Sequence, residues 1–366
     1  MVMTQPYARV FNFSAGPCTL PVEVLEEIRD DLMNYKGHGM SVMEMSHRGK
    51  VFESILDQTV SDLKKVLEVP EGYHAVFLQG GASMQNSMIP LSFLGQGQTA
   101  DYVVTGEWGR KSYEAALHVG NVHLAWSGKD CNYDRAPDLT SLSYTPNSAY
   151  MHFTSNETIQ GVDFRVDPTL PMDMVCDASS NILSRPIDVS KFVILYAGAQ
   201  KNMGPAGTNL VVIQDEFLQK APKEFHPMLD YRLHVKNGSM YNTPPCWSIY
   251  VCGLVYQWVM REGGTREMQR RNEEKAGIVY NAIDTSGGYY KGHAVKENRS
   301  MMNITFTLPS EDLTDKFVRE AAAEGLDGLK GHRSVGGIRA SIYNAFPKVG
   351  CEALADFMRH FAAKNG

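Results

Sequence analysis

The chain has 366 residues, with 35 Lys plus Arg against 41 Asp plus Glu and a formal charge of −6. That length exceeds one ordinary core and points to a large domain with a smaller one beside it. A composition of 43% hydrophobic and 21% charged residues excludes extended disorder, and the mildly acidic balance excludes a dedicated nucleic-acid binder while leaving small anionic substrates open.

A helical pattern starts near Pro21, with Leu25, Ile28 and Leu32 on one face. A second runs from about Lys50, where Phe52, Ile55, Leu56, Leu63, Val66 and Leu67 keep the 3.6-residue period. Strand-like runs then alternate with helices. Residues 73–78 read as a strand, followed by Gly80-Gly81 and a helix opening near Ala82. Residues 101–105 read as a strand leading to a helix through 112–118, and 149–154, 172–177, 192–197 and 209–214 as further strands. Several are continuous apolar runs, as when both faces of a sheet are covered. The alternation predicts an α/β fold with a mostly parallel sheet. After Trp247 come helices over 248–260 and 266–282, strand 303–307, helix 312–323, strand 337–342 and helix 352–362, a small α+β domain. The Gly263-Gly264 pair is the one weak hinge signal.

The six cysteines make no CxxC and have no His cluster beside them, so reduced thiols are expected and neither a disulfide framework nor a metal site. No apolar run approaches the ~20 residues of a membrane span, and residues 1–10 lack an apolar targeting core. A cytoplasmic location is the expectation.

The chemistry concentrates in a few strings. In YAGAQKNMGPAG, Lys201 follows the buried run 192–197 and sits among small residues, with Gly204, Pro205 and Gly207 forcing a turn. Desolvation there would lower its pKa and free a Schiff-base amine. Asp177 ends the preceding strand, 24 residues earlier. It fits a helix N-cap or a carboxylate for a pyridinium nitrogen, and Lys201 downstream favours the second. Gln79-Gly80-Gly81-Ala82-Ser83 lies between strand and helix, where free amides could hold a phosphate. It matches neither nucleotide-binding Gly-rich pattern. Trp108 suits stacking on a flat ring or a place in the core. Thr158 suits a ring oxygen or a turn cap. His47-Arg48 and His332-Arg333, with Arg339, suit a doubly anionic substrate or two solvated loops. Neither pair has metal-ligand spacing.

The strings FNFSAGP, MEMSHRG, QGGAS, SNETIQG, LSRPIDV, YAGAQKNMGPAG, MYNTPP and GHRSVGGIRAS span Phe11 to Ser341, and in this order the chain resembles the phosphoserine aminotransferases of class V. The resemblance implies an aspartate-aminotransferase-like fold of type I. Its large domain would span 17–258, with a seven-stranded, mostly parallel sheet, and its small domain would combine 1–16 with 259–366. It implies pyridoxal 5′-phosphate, one per subunit, in Schiff-base linkage to Lys201, with Asp177 on the ring nitrogen and Trp108 and Thr158 on the ring. Ala82, Ser83 and Gln200 would lie by the cofactor phosphate, and in a homodimer Asn242 and Thr243 would reach it from the second subunit. Arg339 would take the α-carboxylate, and His47, Arg48, His332 and Arg333 the substrate phosphate or side-chain carboxylate. The substrates implied are L-glutamate and 3-phosphooxypyruvate, with O-phospho-L-serine and 2-oxoglutarate as products. Some relatives carry Arg where this chain has Ser83. The alternatives are a cysteine desulfurase using Cys351 at a helix start, an alanine–glyoxylate-type transaminase, or a non-enzymatic phosphate-binding protein of the same fold.

Overall fold

The computed structural model describes residues 6–366; the expectation about the first ten residues falls partly on residues 1–5, outside the described residues. The short strand β1 (Phe11–Asn12) is followed by α1 (Val22–Asp31) and α2 (Lys50–Val66), then by β2 (Tyr73–Leu78) and α3 (Gly81–Phe93). Next come β3 (Thr99–Val104), α4 (Glu107–Leu117), β4 (Asn121–Ser127) and β5 (Met151–Thr154). A hairpin, β6 (Asn156–Glu157) with β7 (Val162–Asp163), precedes β8 (Met174–Asp177), β9 (Ile194–Gly198) and β10 (Asn209–Gln214). Two short helices follow, α5 (Asp215–Leu218) and α6 (Tyr231–Lys236), then the long pair α7 (Cys246–Arg261) and α8 (Gly264–Asp284). The chain ends with β11 (Lys291–Gly292), β12 (Asn303–Thr307), α9 (Glu311–Ala323), β13 (Leu326–Asp327), β14 (Ile338–Ser341) and α10 (Lys348–Asn365).

Seven strands form the main sheet in the order β2-β10-β9-β8-β5-β3-β4. All neighbours are parallel except β10, which runs antiparallel to both β9 and β2. The apolar runs are continuous because both faces are covered. Along β10, Leu210 and Val212 join α2 and α7 in one core, while Val211 and Ile213 join α3, α5 and α6 in another. A third core joins Phe11 and Phe13 to α8, α9, α10 and the antiparallel sheet β11-β12-β14. Phe317 is its hub, with the Phe357 and Phe361 rings 4.9 and 5.1 Å away.

Several boundaries differ from the sequence reading for identifiable reasons. Strand β4 was not expected: it is the sheet edge, and none of its residues is fully buried, so it lacks an apolar run. Helix α10 begins at Lys348, behind Pro347, rather than at 352, so Cys351 sits inside its first turn. No helix follows Asp177; the N-cap reading gives way to a turn in which the Ser179 amide donates to Asp177 Oδ1 at 2.9 Å. All six cysteines are free, and no described helix is long and apolar enough to cross a membrane.

Candidate active site

Parallel strands gather their carboxyl ends on one edge of the sheet, where α/β folds place ligands. Trp108 follows β3, Thr158 follows β5, Asp177 ends β8 and Lys201 follows β9. The lysine turn is closed by Ala199 N–H donating to Thr208 C=O at 3.1 Å and Gly204 N–H to Ala199 C=O at 2.8 Å. Lys201 is buried, and its amine donates to Thr158 Oγ1 at 2.6 Å. It lies 5.7 Å from the centre of the Trp108 ring. Burial pushes the Lys201 amine down to about 8, against the pull of Asp177 and Glu157. Burial also raises the Asp177 carboxyl, opposed by hydrogen bonds from Ser179 and by the Lys201 charge.

Arg339 comes from the small sheet, on β14 opposite Thr305. Desolvation lowers its pKa, and its Nε is buried without a partner among the described residues. His332 is half-buried beside it; desolvation, then the Arg339 charge, lowers its pKa. Its Nδ1 meets Ser334 Oγ at 2.8 Å, while Arg333 is exposed. Gly80 takes a left-handed conformation (φ 85°) before α3 and provides no side-chain cap. The first amides of α3, at Ala82 and the exposed Ser83, thus have no side-chain cap and could hold an anion.

The class-V aminotransferase family model matches residues 10–354. A phosphoserine aminotransferase of Geobacillus kaustophilus is 50% identical over 96% of this chain and 98% of its own. The chain belongs to the phosphoserine aminotransferase family. The solved phosphoserine aminotransferase of Bacillus circulans superposes with a TM-score of 0.96 at 48% identity, covering 98% of this chain and 99% of that one. The pyridoxal-phosphate-bound phosphoserine aminotransferase of Trichomonas vaginalis gives 0.91 at 38%, covering 96% and 100%.

Aminotransferases of this family use pyridoxal phosphate, and the donor set here fits it. A buried amine, a buried carboxylate, a hydroxyl and an indole converge, and Trp108 Nε1 is buried without a partner among the described residues. Gln200 packs so closely on Gly198 that a Cβ there would lie 2.8 Å from its Oε1.

The structure thus brings together Lys201, Asp177, Trp108, Thr158, Arg339 and His332. It does not bring His47 and Arg48 to them: among the described residues no hydrogen bond or ion pair joins this loop to Lys201, and His47 Nε2 is buried without a partner. Asn242 and Thr243 lie before α7, where the Thr243 carbonyl accepts from Gln79 of the same chain at 3.1 Å. Three contributors escaped the sequence reading. The Cys18 thiol donates to the Lys201 carbonyl at 2.8 Å. Ser179 braces Asp177 and, through its hydroxyl, accepts from the Gly198 amide at 3.0 Å. Glu157 is buried and carries the second carboxylate near Lys201; its neighbour Thr158 was the available signal. The desulfurase reading of Cys351 is corrected: the thiol is fully buried, and burial raises its pKa to about 12, the reverse of a reactive helix-start thiol.

Proposed function

We infer that this enzyme is a phosphoserine transaminase. It exchanges the amino group between L-glutamate and 3-phosphooxypyruvate by a ping-pong route, yielding O-phospho-L-serine and 2-oxoglutarate. The observation that carries the reading is the buried Lys201 amine beside the Asp177 carboxylate, with an unpaired Arg339 facing the same space, in a family of this activity.

Pyridoxal phosphate, one per subunit, supplies a carbonyl for amino exchange and a ring that takes up the electrons of the substrate Cα–H bond. Lys201 is its anchor and then the acid/base that moves the α-proton; an amine near 8 can do both close to neutral pH. Asp177 holds the ring nitrogen protonated, and the cation in turn compensates a carboxylate that burial disfavours. Trp108 covers the ring face and Thr158 takes the ring-hydroxyl side. Ala82, Ser83 and Gln200 hold the phosphate, with Asn242 and Thr243 reaching it from a second subunit. Arg339 forks onto the α-carboxylate. His332 and Arg333, with His47 and Arg48 across the subunit boundary, take the distal phosphate or carboxylate. The division into 17–258 and 1–16 with 259–366 belongs to the same proposal, supported by the separate apolar cores, as does a cytoplasmic homodimer. Support for the dimer is the exposed run Met33, Met40 and Met43, at 81%, 43% and 59%, leading to the unpaired His47.

The purified protein is expected to be yellow, and its visible absorption to change on adding L-glutamate and revert with 3-phosphooxypyruvate. A Lys201→Ala variant should be colourless and inactive. A colourless wild type that takes up no pyridoxal phosphate would end this reading.

A further inference from the structure

Helix α4 carries Trp108 in its first turn, and it is capped in an unusual way. Its N-cap residue is Gly106, which has no side chain to offer, where a Ser, Thr, Asp or Asn would have supplied a cap from the helix's own start. The cap comes instead from about fifty residues downstream. Glu157 accepts from the Gly109 amide at 2.7 Å and from the Trp108 amide at 3.1 Å. Gln160 Oε1 accepts from the Glu107 amide at 3.3 Å. Three successive first-turn amides are therefore held by one hairpin.

The carboxylate is fitted closely to this seat. A Cβ at Gly106 would lie 2.6 Å from Glu157 Cδ, and one at Gly109 would lie 3.2 Å from Glu157 Oε1. Glu157 is fully buried and bonds to no Lys or Arg side chain among the described residues. The helix amides are its compensation. The same hairpin places Thr158 on the Lys201 amine at 2.6 Å. It is braced from behind by the small sheet, where Thr305 Oγ1 donates to the Ile159 carbonyl at 3.0 Å and Asn156 Nδ2 donates to Asn303 Oδ1 at 2.9 Å.

We propose that Glu157 is a positioning residue: its side chain, clamped on the first turn of α4, fixes the Trp108 ring opposite Lys201, so that adjacent hairpin residues set both the ring face and the hydroxyl edge of the site. The inference rests on the reading of Trp108 as the ring-stacking residue.

The test is a double-mutant cycle on the holoenzyme, using Glu157→Ala, Trp108→Phe and the pair, with amide exchange of segment 107–110 as a second readout. In Glu157→Ala, kcat should fall on the order of 10- to 100-fold, the loss that follows from misplacing a contacting group. The KM for L-glutamate should stay within about threefold, because no substrate contact is removed. Exchange of the Trp108 and Gly109 amides should accelerate at least about tenfold as the cap is lost. Glu157→Gln, which keeps an acceptor oxygen, should recover part of kcat, and it serves in the cycle should the Ala variant not fold. The double variant should be no slower than the slower single one. Multiplied losses, or a wild-type kcat in Glu157→Ala, would overturn the proposal. A Trp108→Phe enzyme with wild-type kcat would instead overturn the stacking reading beneath it, and this inference with it.

Discussion

Lys275 offers a test of which of two opposed effects governs a buried cation. It lies on α8, 3% exposed, and the three N–H groups of its ammonium are shared among four carbonyls: Tyr343 at 2.7 Å, Ile342 and Phe346 at 3.1 Å, and Asn344 at 3.3 Å. This cage holds the loop after β14, and Asn344 N–H in turn donates to Asn202 Oδ1 at 3.0 Å, next to Lys201. Lys275→Met keeps the length and removes the donors. The Tyr343 carbonyl retains a bond from Phe346 N–H; the other three lose the ammonium. At roughly 1 kcal/mol each, the variant should be less stable by about 3 kcal/mol at pH 7. Burial brings the Lys275 amine down to about 8, against about 10.4 in an unfolded chain. Between those values the unfolded chain binds more protons than the folded one, so the lysine's contribution rises with pH. At pH 9.5 the linkage adds about 2 kcal/mol, widening the gap between wild type and variant to about 5 kcal/mol. Urea unfolding of both proteins at pH 7 and 9.5 measures this, and the other titrating groups cancel in the comparison. A gap that stays flat or narrows would mean that the carbonyl dipoles, which favour the ammonium, outweigh burial, and would refute the reasoning.

Four further outcomes are expected. In cofactor-stripped protein, uptake of pyridoxal phosphate should accelerate about tenfold per pH unit up to about 8 and then level off, because only the neutral Lys201 amine attacks; a flat profile in stopped-flow absorbance would contradict the burial effect. Arg339→Ala should raise KM for L-glutamate and 3-phosphooxypyruvate by about 10- to 100-fold, the worth of about 1.5–3 kcal/mol for hydrogen bonds to a charged group, and unchanged steady-state kinetics would sink its assignment. Gly161→Ala should destabilise the protein by about 2–5 kcal/mol, since φ is +69° and the new Cβ would lie 2.5 Å from the Asn303 carbonyl; an unshifted melting curve would speak against that packing. Cys351→Ala should keep its transaminase rate within about twofold, because a thiol raised to about 12 by burial takes no part in the chemistry; lost activity in an otherwise folded variant would revive the desulfurase alternative.

Lys201 and Asp177 were legible because each closes a buried apolar run, a local pattern that burial by the rest of the chain does not alter. Glu157 was not. It sits in the polar string SNETIQG, which reads as a turn, and it is buried only where that hairpin folds onto the first turn of α4, about fifty residues earlier in the chain. Trp108 was placed after a strand rather than inside a helix for a related reason: the cap that starts α4 is absent from its own neighbourhood. The edge strand β4 has partners on one side only, so nothing forces its residues to be apolar. His47 and Arg48 have the chemistry for an anionic substrate, but among the described residues no hydrogen bond or ion pair joins their loop to Lys201, and no spacing in the sequence encodes that separation.

The reversed strand β10 has a consequence for what can vary. Had it run parallel to β9, a crossover of a dozen or more residues would have separated the two, leaving freedom to lengthen or shift the lysine segment. Because it doubles back, with Asn209 directly opposite Gly198, Lys201 is carried at the tip of a closed hairpin whose two legs are stitched into the sheet interior. Adding or deleting one residue in β9 would turn its entire side-chain set to the opposite face and swing the amine away from Thr158.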